Sequence, residues 1–362
     1  MPGNSIGRMF VVTSFGESHG PCVGSLIDGC PAGLEMKVEE VQEFLDRRQK
    51  NVLGTPRKEP DKVEILSGIF EGFTTGSPIC LLIWNRDVDS SAYEELRYIP
   101  RPGHADYAAH ARYGGFNDHR GGGRFSGRIT AGFVAAGGIA KMLLKRIGVE
   151  INAHTLSIGS VSVKDALPIE KIRLAYESPV RCADLEVSEK MVEEVKRAEA
   201  EGDSLGGVVE AIATGLPPGI GDPVFESIDS ELAKALVSIP AVKAVGFGEG
   251  FGASALKGSE NNDQYFYEDG KVSARTNRAG GVLGGLSSGM PLVMRVAFKP
   301  TPSIKLEQSS IDIRSGKEVK LRLRGRFDAC VVPRAVPVVE AMCSIVLADQ
   351  CIRCGLISQV LR

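Results

Sequence analysis

The chain has 362 residues, 43% hydrophobic and 24% charged, with a net charge of −2 and a pI near 6.3. That length is ample for a large buried core, and the weak net charge excludes a global field that would draw the chain to nucleic acid or an anionic membrane. No apolar run approaches the roughly 18 residues of a membrane span, and eight cysteines spread over this length read as reduced thiols, which points to a cytoplasmic protein.

From the N-terminus, MFVVTSF (9–15) and CVGSLIDG (22–29) read as strands joined by the turn GESHG. VEEVQEFLDRR (38–48) sets Val38, Val41, Phe44 and Leu45 on one helical face. SPICLLIW (77–84) reads as a strand entered through a glycine turn, and ITAGFVAAGGIAKMLLKRIG (129–148) as a long apolar helix ending at Gly148. VVEAIATG (208–215) is a further strand, and DSELAKALVSI (229–239) a helix with Asp229 as its N-cap. MPLVMRVAF (290–298) is a strand, and PVVEAMCSIVLADQCIRCG (337–355) a second long apolar helix ending at Gly355. Both long helices are apolar nearly all round, which predicts burial on several sides. Strands and helices alternate without a regular βαβ rhythm. The prediction is an α+β fold, a β-α-β sandwich with helices packed between antiparallel sheets.

The glycines reveal an internal repeat. GESHG, eight residues and GCPAG (16–33) match GDSLG, eight residues and GLPPG (202–219). Residues 67–83 match 280–296, RPGH (101–104) parallels KPTP (299–302), and the stretch from Arg124 parallels the stretch from Arg326. Four matches in one order predict a duplication: a single domain over 1–362 built from two similar halves, about 1–150 and 190–355.

Positive charge is concentrated between 97 and 128. Arg97, Arg101, Arg112, Arg120, Arg124 and Arg128 stand there against only Asp106 and Asp118, with His104, His110 and His119. RGGGRFSGR (120–128) runs into the first long helix. Glycines let backbone N–H groups approach a ligand, a helix N-terminus favours an anion, and arginines clamp phosphate or carboxylate. No GxxxxGK[ST] is present, so this is an anion loop of another kind. His19, in a glycine turn after a strand, and His104 are the candidate catalytic imidazoles, with His119 between roles and His110 and His154 structural. No spacing suits a metal, and the lone CxxC of Cys351 and Cys354 reads as ordinary helix residues. In the repeat, His19 becomes Leu205, His104 becomes Pro302 and Ser126 becomes Asp328. Divergence at polar positions predicts one asymmetric site near the junction of the halves.

GESHG, RPGHADY…RGGGRFSGR and GRFDACVVPRAVPVVEAM together resemble the hallmark segments of the chorismate synthases, from about residue 4 to 350. The resemblance implies a lyase of the shikimate pathway that converts 5-enolpyruvylshikimate 3-phosphate to chorismate and phosphate by 1,4-anti elimination. It implies reduced FMN as cofactor, no net redox change and a homotetramer. His19 and His104 match the family's catalytic histidines, Ser18 and Ser126 its site serines, and Asp328 the aspartate thought to help the flavin accept the ring hydrogen. FMN contacts would fall on Arg124, Phe125, Ser126, Pro240, Ala241, Gly284, Lys299, Pro300, Thr301, Pro302, Ser303 and Arg326, and substrate contacts on Arg48 and Arg128. Phe125 stands where many members have serine, and Pro240 where asparagine is common. Some members reduce their flavin with NADPH; this chain is expected not to, which makes an external flavin reductase a partner. Two other classes fit the residues alone: a flavin oxidoreductase with net electron transfer, and a non-catalytic polyanion-binding protein.

Overall fold

The computed structural model describes residues 3–50, 52–53, 60–86, 90, 93–323, 325 and 327–362. Two five-stranded sheets, antiparallel at every pairing, flank a helical layer. The first holds β1 (Ser5–Ile6), β2 (Val11–Gly16), β3 (Cys22–Asp28), β4 (Val63–Ile65) and β5 (Ile79–Trp84), in the order β1-β2-β3-β5-β4. The second holds β6 (Glu150–Ile158), β7 (Val161–Ser162), β8 (Gly207–Thr214), β9 (Val242–Phe247) and β10 (Leu292–Phe298), in the order β7-β6-β8-β10-β9. The helices are α1 (Val38–Asp46), α2 (Asp106–Tyr113), α3 (Thr130–Lys145), α4 (Leu185–Glu201), α5 (Ile228–Val237) and α6 (Val332–Arg353), beside shorter turns.

The two long apolar helices form the centre. α3 packs on the first sheet, α6 on the second, and each packs on the other. The helices approach so closely that a Cβ added to Gly137 would lie 2.4 Å from the Ala341 Cβ. Polar groups tie the layers together as well. The Ser25 hydroxyl on β3 donates to the Gly132 carbonyl at 2.9 Å. Glu340 on α6 is buried, accepting from the Lys141 ammonium at 2.8 Å and from the Ala153 N–H at 3.0 Å, so its desolvation is offset by a cation and a backbone donor. By length and composition the stretches Gly127–Lys145 and Val332–Arg353 are apolar enough to cross a membrane, contrary to the expectation that no run comes close. They are instead largely or wholly buried inside the protein.

Smaller departures have local causes. Val38 is exposed, so the buried face of α1 is Val41, Phe44 and Leu45 alone. α5 starts at Ile228, one residue before the predicted cap; Asp229 lies in its first turn and accepts from the Ser227 hydroxyl at 2.5 Å. α6 begins at Val332, five residues before the predicted start, and carries Pro337 inside it. Pro337 lies past the first four unpaired N–H groups, so it removes the bond that residue 337 would make to the Pro333 carbonyl.

Candidate active site

A cavity of about 770 Å³ opens where the loops ahead of α3 and α6 meet. Ser126 lies ahead of α3 and Asp328 ahead of α6, and both line it. So do Ser18, His19, Arg48, His104, Arg124, Phe125, Arg128, Pro240, Ala241, Lys299, Thr301, Pro302 and Ser303. Among the predicted cofactor residues, Gly284 and Pro300 do not line it, and Arg326 lies outside the described residues. A larger open groove of about 1470 Å³, lined by parts of 3–17 and 113–125, has no histidine in its lining.

The triple glycine decides how the imidazoles sit. Gly121, Gly122 and Gly123 all have positive φ. A Cβ on Gly121 would fall 2.2 Å from His19 Cδ2 and 2.4 Å from Nε2. A Cβ on Gly122 would fall 3.0 Å from His104 Cε1. One bare loop therefore separates the two rings and admits both to the cavity. The lack of a Cβ at Gly121 and Gly122 makes room for the two imidazoles.

Each ring is also held on its other side. His19 Nδ1 lies 2.9 Å from the Ser90 hydroxyl, and the Tyr93 ring meets it edge-on at 5.0 Å between centroids. His104 Nδ1 lies 2.5 Å from Asp106 Oδ1. Arg101 donates to both oxygens of Asp106, at 2.7 and 2.9 Å. Burial opposes ionisation of Asp106, but Arg101 and His104 outweigh it and hold the carboxyl well below the usual range.

The anion-binding candidates form a buried group. Arg48 donates to Asp61 at 2.7 Å and to the Thr130 hydroxyl at 3.0 Å. Arg128 pairs with the other Asp61 oxygen and donates to Asn85 at 2.8 Å. Arg48, Asp61 and Arg128 are all buried. Arg124 turns the other way and donates to the Gly16 carbonyl at 3.0 Å. Ser126 accepts from the Arg128 N–H at 3.3 Å, which caps the turn leading into α3. Asp328 pairs with Arg334 at 3.2 Å.

The second half supplies the opposite wall. Lys299 donates to the Gly103 carbonyl at 3.0 Å, and Arg101 to the Ser303 hydroxyl at 3.3 Å. RPGH and KPTP, matched in the sequence, thus touch in space. Burial, with Lys243 nearby, pulls the Lys299 ammonium below its usual pKa. Sequence reasoning missed Asp61, Tyr93, Arg334 and the pairing role of Asp106. Asp61 carried no signal; Asp106, two residues after a candidate histidine, did.

A family model described as chorismate synthase matches residues 10–352. The chain belongs to the chorismate synthase family. A chorismate synthase of Dehalococcoides mccartyi strain BAV1 is 54% identical over 363 residues, covering 99% of each chain. That of Methanococcoides burtonii is 51% identical, covering 98% of this chain and 97% of its own. A solved structure titled "Crystal Structure of Chorismate Synthase" aligns with a TM-score of 0.77 at 32% identity, over 96% of this chain and 93% of that one. The fold is that of the chorismate synthases, an enzyme family of the shikimate pathway, and the layering predicted from the sequence is the one observed.

Proposed function

We propose that the protein is a lyase that converts 5-enolpyruvylshikimate 3-phosphate to chorismate and phosphate with reduced FMN. The observation that carries this is the shared loop: Gly121 and Gly122 bring His19 and His104 to one cavity that Arg48 and Arg128 also line. A substrate with a phosphate and two carboxylates needs such a surface. The residues suit the cofactor too, since Lys299, Arg334 and Ser303 line a cavity of about 770 Å³, inside the roughly 300–1,000 Å³ common for small-molecule sites. Reduced flavin would supply electron density as phosphate departs and recover it with the ring hydrogen.

The chain's own groups take the remaining tasks. Arg48 and Arg128, fixed by Asp61, bind the anion. His104 holds a proton for the phosphate oxygen that leaves, and His19 serves as the second proton carrier. Ser18 and Ser126 offer hydroxyls at the same wall, and Asp328 offers a carboxylate opposite. The cofactor would rest on Arg124–Ser126, Pro240–Ala241 and 299–303, with Gly284 and Arg326 as its outlying contacts.

The same reading makes the chain one domain of two duplicated halves. Its support is that the two five-stranded sheets share the order of three strands, β3-β5-β4 and β8-β10-β9, and that each half carries a short ribbon, Ile69–Phe70/Phe73–Thr74 and Val282–Leu283/Leu286–Ser287. We place it in the cytoplasm as a homotetramer supplied by an external flavin reductase. Nearly complete exposure of Phe116, Phe225 and Phe251 supports association.

Anaerobic incubation with substrate and reduced FMN tests the function. Chorismate and phosphate should appear in equal amounts, with the flavin still reduced. Flavin oxidation in proportion to product would make it an oxidoreductase. Binding without phosphate release would make it a polyanion-binding protein.

A further inference from the structure

We propose that Asp106 is the positioning residue of His104: it takes the Nδ1 proton, so that Nε2 is the ring atom presented to the cavity. The inference rests on the reading of His104 as proton donor. Nδ1 lies 2.5 Å from Asp106 Oδ1. An ionised carboxylate only accepts, so Nδ1 must donate. The Arg101 NH2 lies 3.1 Å from Nδ1 and 3.4 Å from Nε2. A guanidinium only donates and cannot do so to a protonated Nδ1; the shorter contact, 2.5 Å to Asp106, commits Nδ1 to the carboxylate. Arg101 is instead committed to Asp106 through both carboxylate oxygens, and it is held in turn by Ser303 of the second half. Tyr93 lies beneath the guanidinium at 5.9 Å from ring centroid to Cζ. The chain Ser303–Arg101–Asp106–His104 therefore connects the two halves to one imidazole nitrogen.

The proposal has a consequence in the ring's tautomer. With Asp106 present, a neutral His104 carries its proton on Nδ1, and Nε2 is free to take up and deliver the catalytic proton. With Asn at 106, both the amide and Arg101 can donate to Nδ1, and the neutral ring then carries its proton on Nε2.

The test is imidazole nitrogen NMR on the full chain at about pH 8, above the ordinary histidine range, with kinetics on the same samples. Five histidines make assignment tractable. The parent protein should show His104 protonated on Nδ1, and Asp106→Asn should show it on Nε2. In the kinetics, Asp106→Asn should lose about 10–10²-fold in kcat, part of what general acid catalysis supplies, with KM within a few-fold. Asp106→Glu should restore both the tautomer and most of the kcat. An unchanged tautomer in Asp106→Asn, or a parent ring already protonated on Nε2, overturns the proposal. His104→Ala separates the two readings: if it retains turnover, the proton-donor role fails, whereas the tautomer result still stands or falls alone.

Discussion

Gly121→Ala tests the shared-loop geometry most sharply. At φ +57° a side chain costs about 1–2 kcal/mol in backbone strain. The new Cβ would also stand 2.2 Å from His19 Cδ2. Restoring an ordinary contact of about 3.5 Å forces the ring back by about 1.3 Å. A misplacement of about 1 Å at a reacting group is enough to cost about 10²-fold. Turnover should therefore fall by about that factor while the melting temperature drops by only a few degrees. Gly122→Ala is the internal control, because its Cβ would stand 3.0 Å from His104 Cε1 and needs a retreat of only about 0.5 Å. Its loss should be clearly smaller. Steady-state phosphate release with calorimetric melting measures both quantities. Full turnover in a folded Gly121→Ala protein would refute the claim that this glycine seats His19.

Other parts of the structure give their own expectations. Arg128→Ala removes a charged donor beside Asp61 and should weaken substrate binding by about 1.5–3 kcal/mol, roughly 10- to 150-fold by titration calorimetry; unchanged affinity would make Arg128 purely structural. Gly137→Ala drives a methyl to 2.4 Å from Ala341 Cβ and should destabilise the helical layer by about 1–3 kcal/mol, and an unaltered denaturation midpoint would contradict that packing. Thiol labelling of the native protein at about pH 8 should find exposed Cys354 first, because burial pushes Cys30, Cys330 and Cys351 up to about 12 and only the thiolate reacts. Fast labelling of Cys330 or Cys351 would mean the core opens readily.

The long helices and the strands were legible in the sequence because hydrophobic period and glycine punctuation are local signals. The repeat in the sequence foretold that RPGH and KPTP correspond, but not that Lys299 and Arg101 would join them. That contact depends on how the two sheets close on α3 and α6. Gly16, at the head of the GESHG turn, serves the β2–β3 hairpin: a Cβ there would strike the Cys22 carbonyl at 2.1 Å. The glycine that His19 needs is Gly121, about a hundred residues along, and no local pattern links them. Asp61 was invisible for the same reason: only the folded chain brings it between Arg48 and Arg128.

The central claim is that elimination takes place in the cavity of about 770 Å³ shared by the two halves. A crystal structure of the protein with FMN and 5-enolpyruvylshikimate 3-phosphate tests it most directly. The account predicts the substrate phosphate within hydrogen-bond reach of His104 Nε2, with Arg48 and Arg128 against its anionic groups. Substrate density in the larger groove of about 1470 Å³ beside residues 3–17, whose lining holds no histidine, would contradict it.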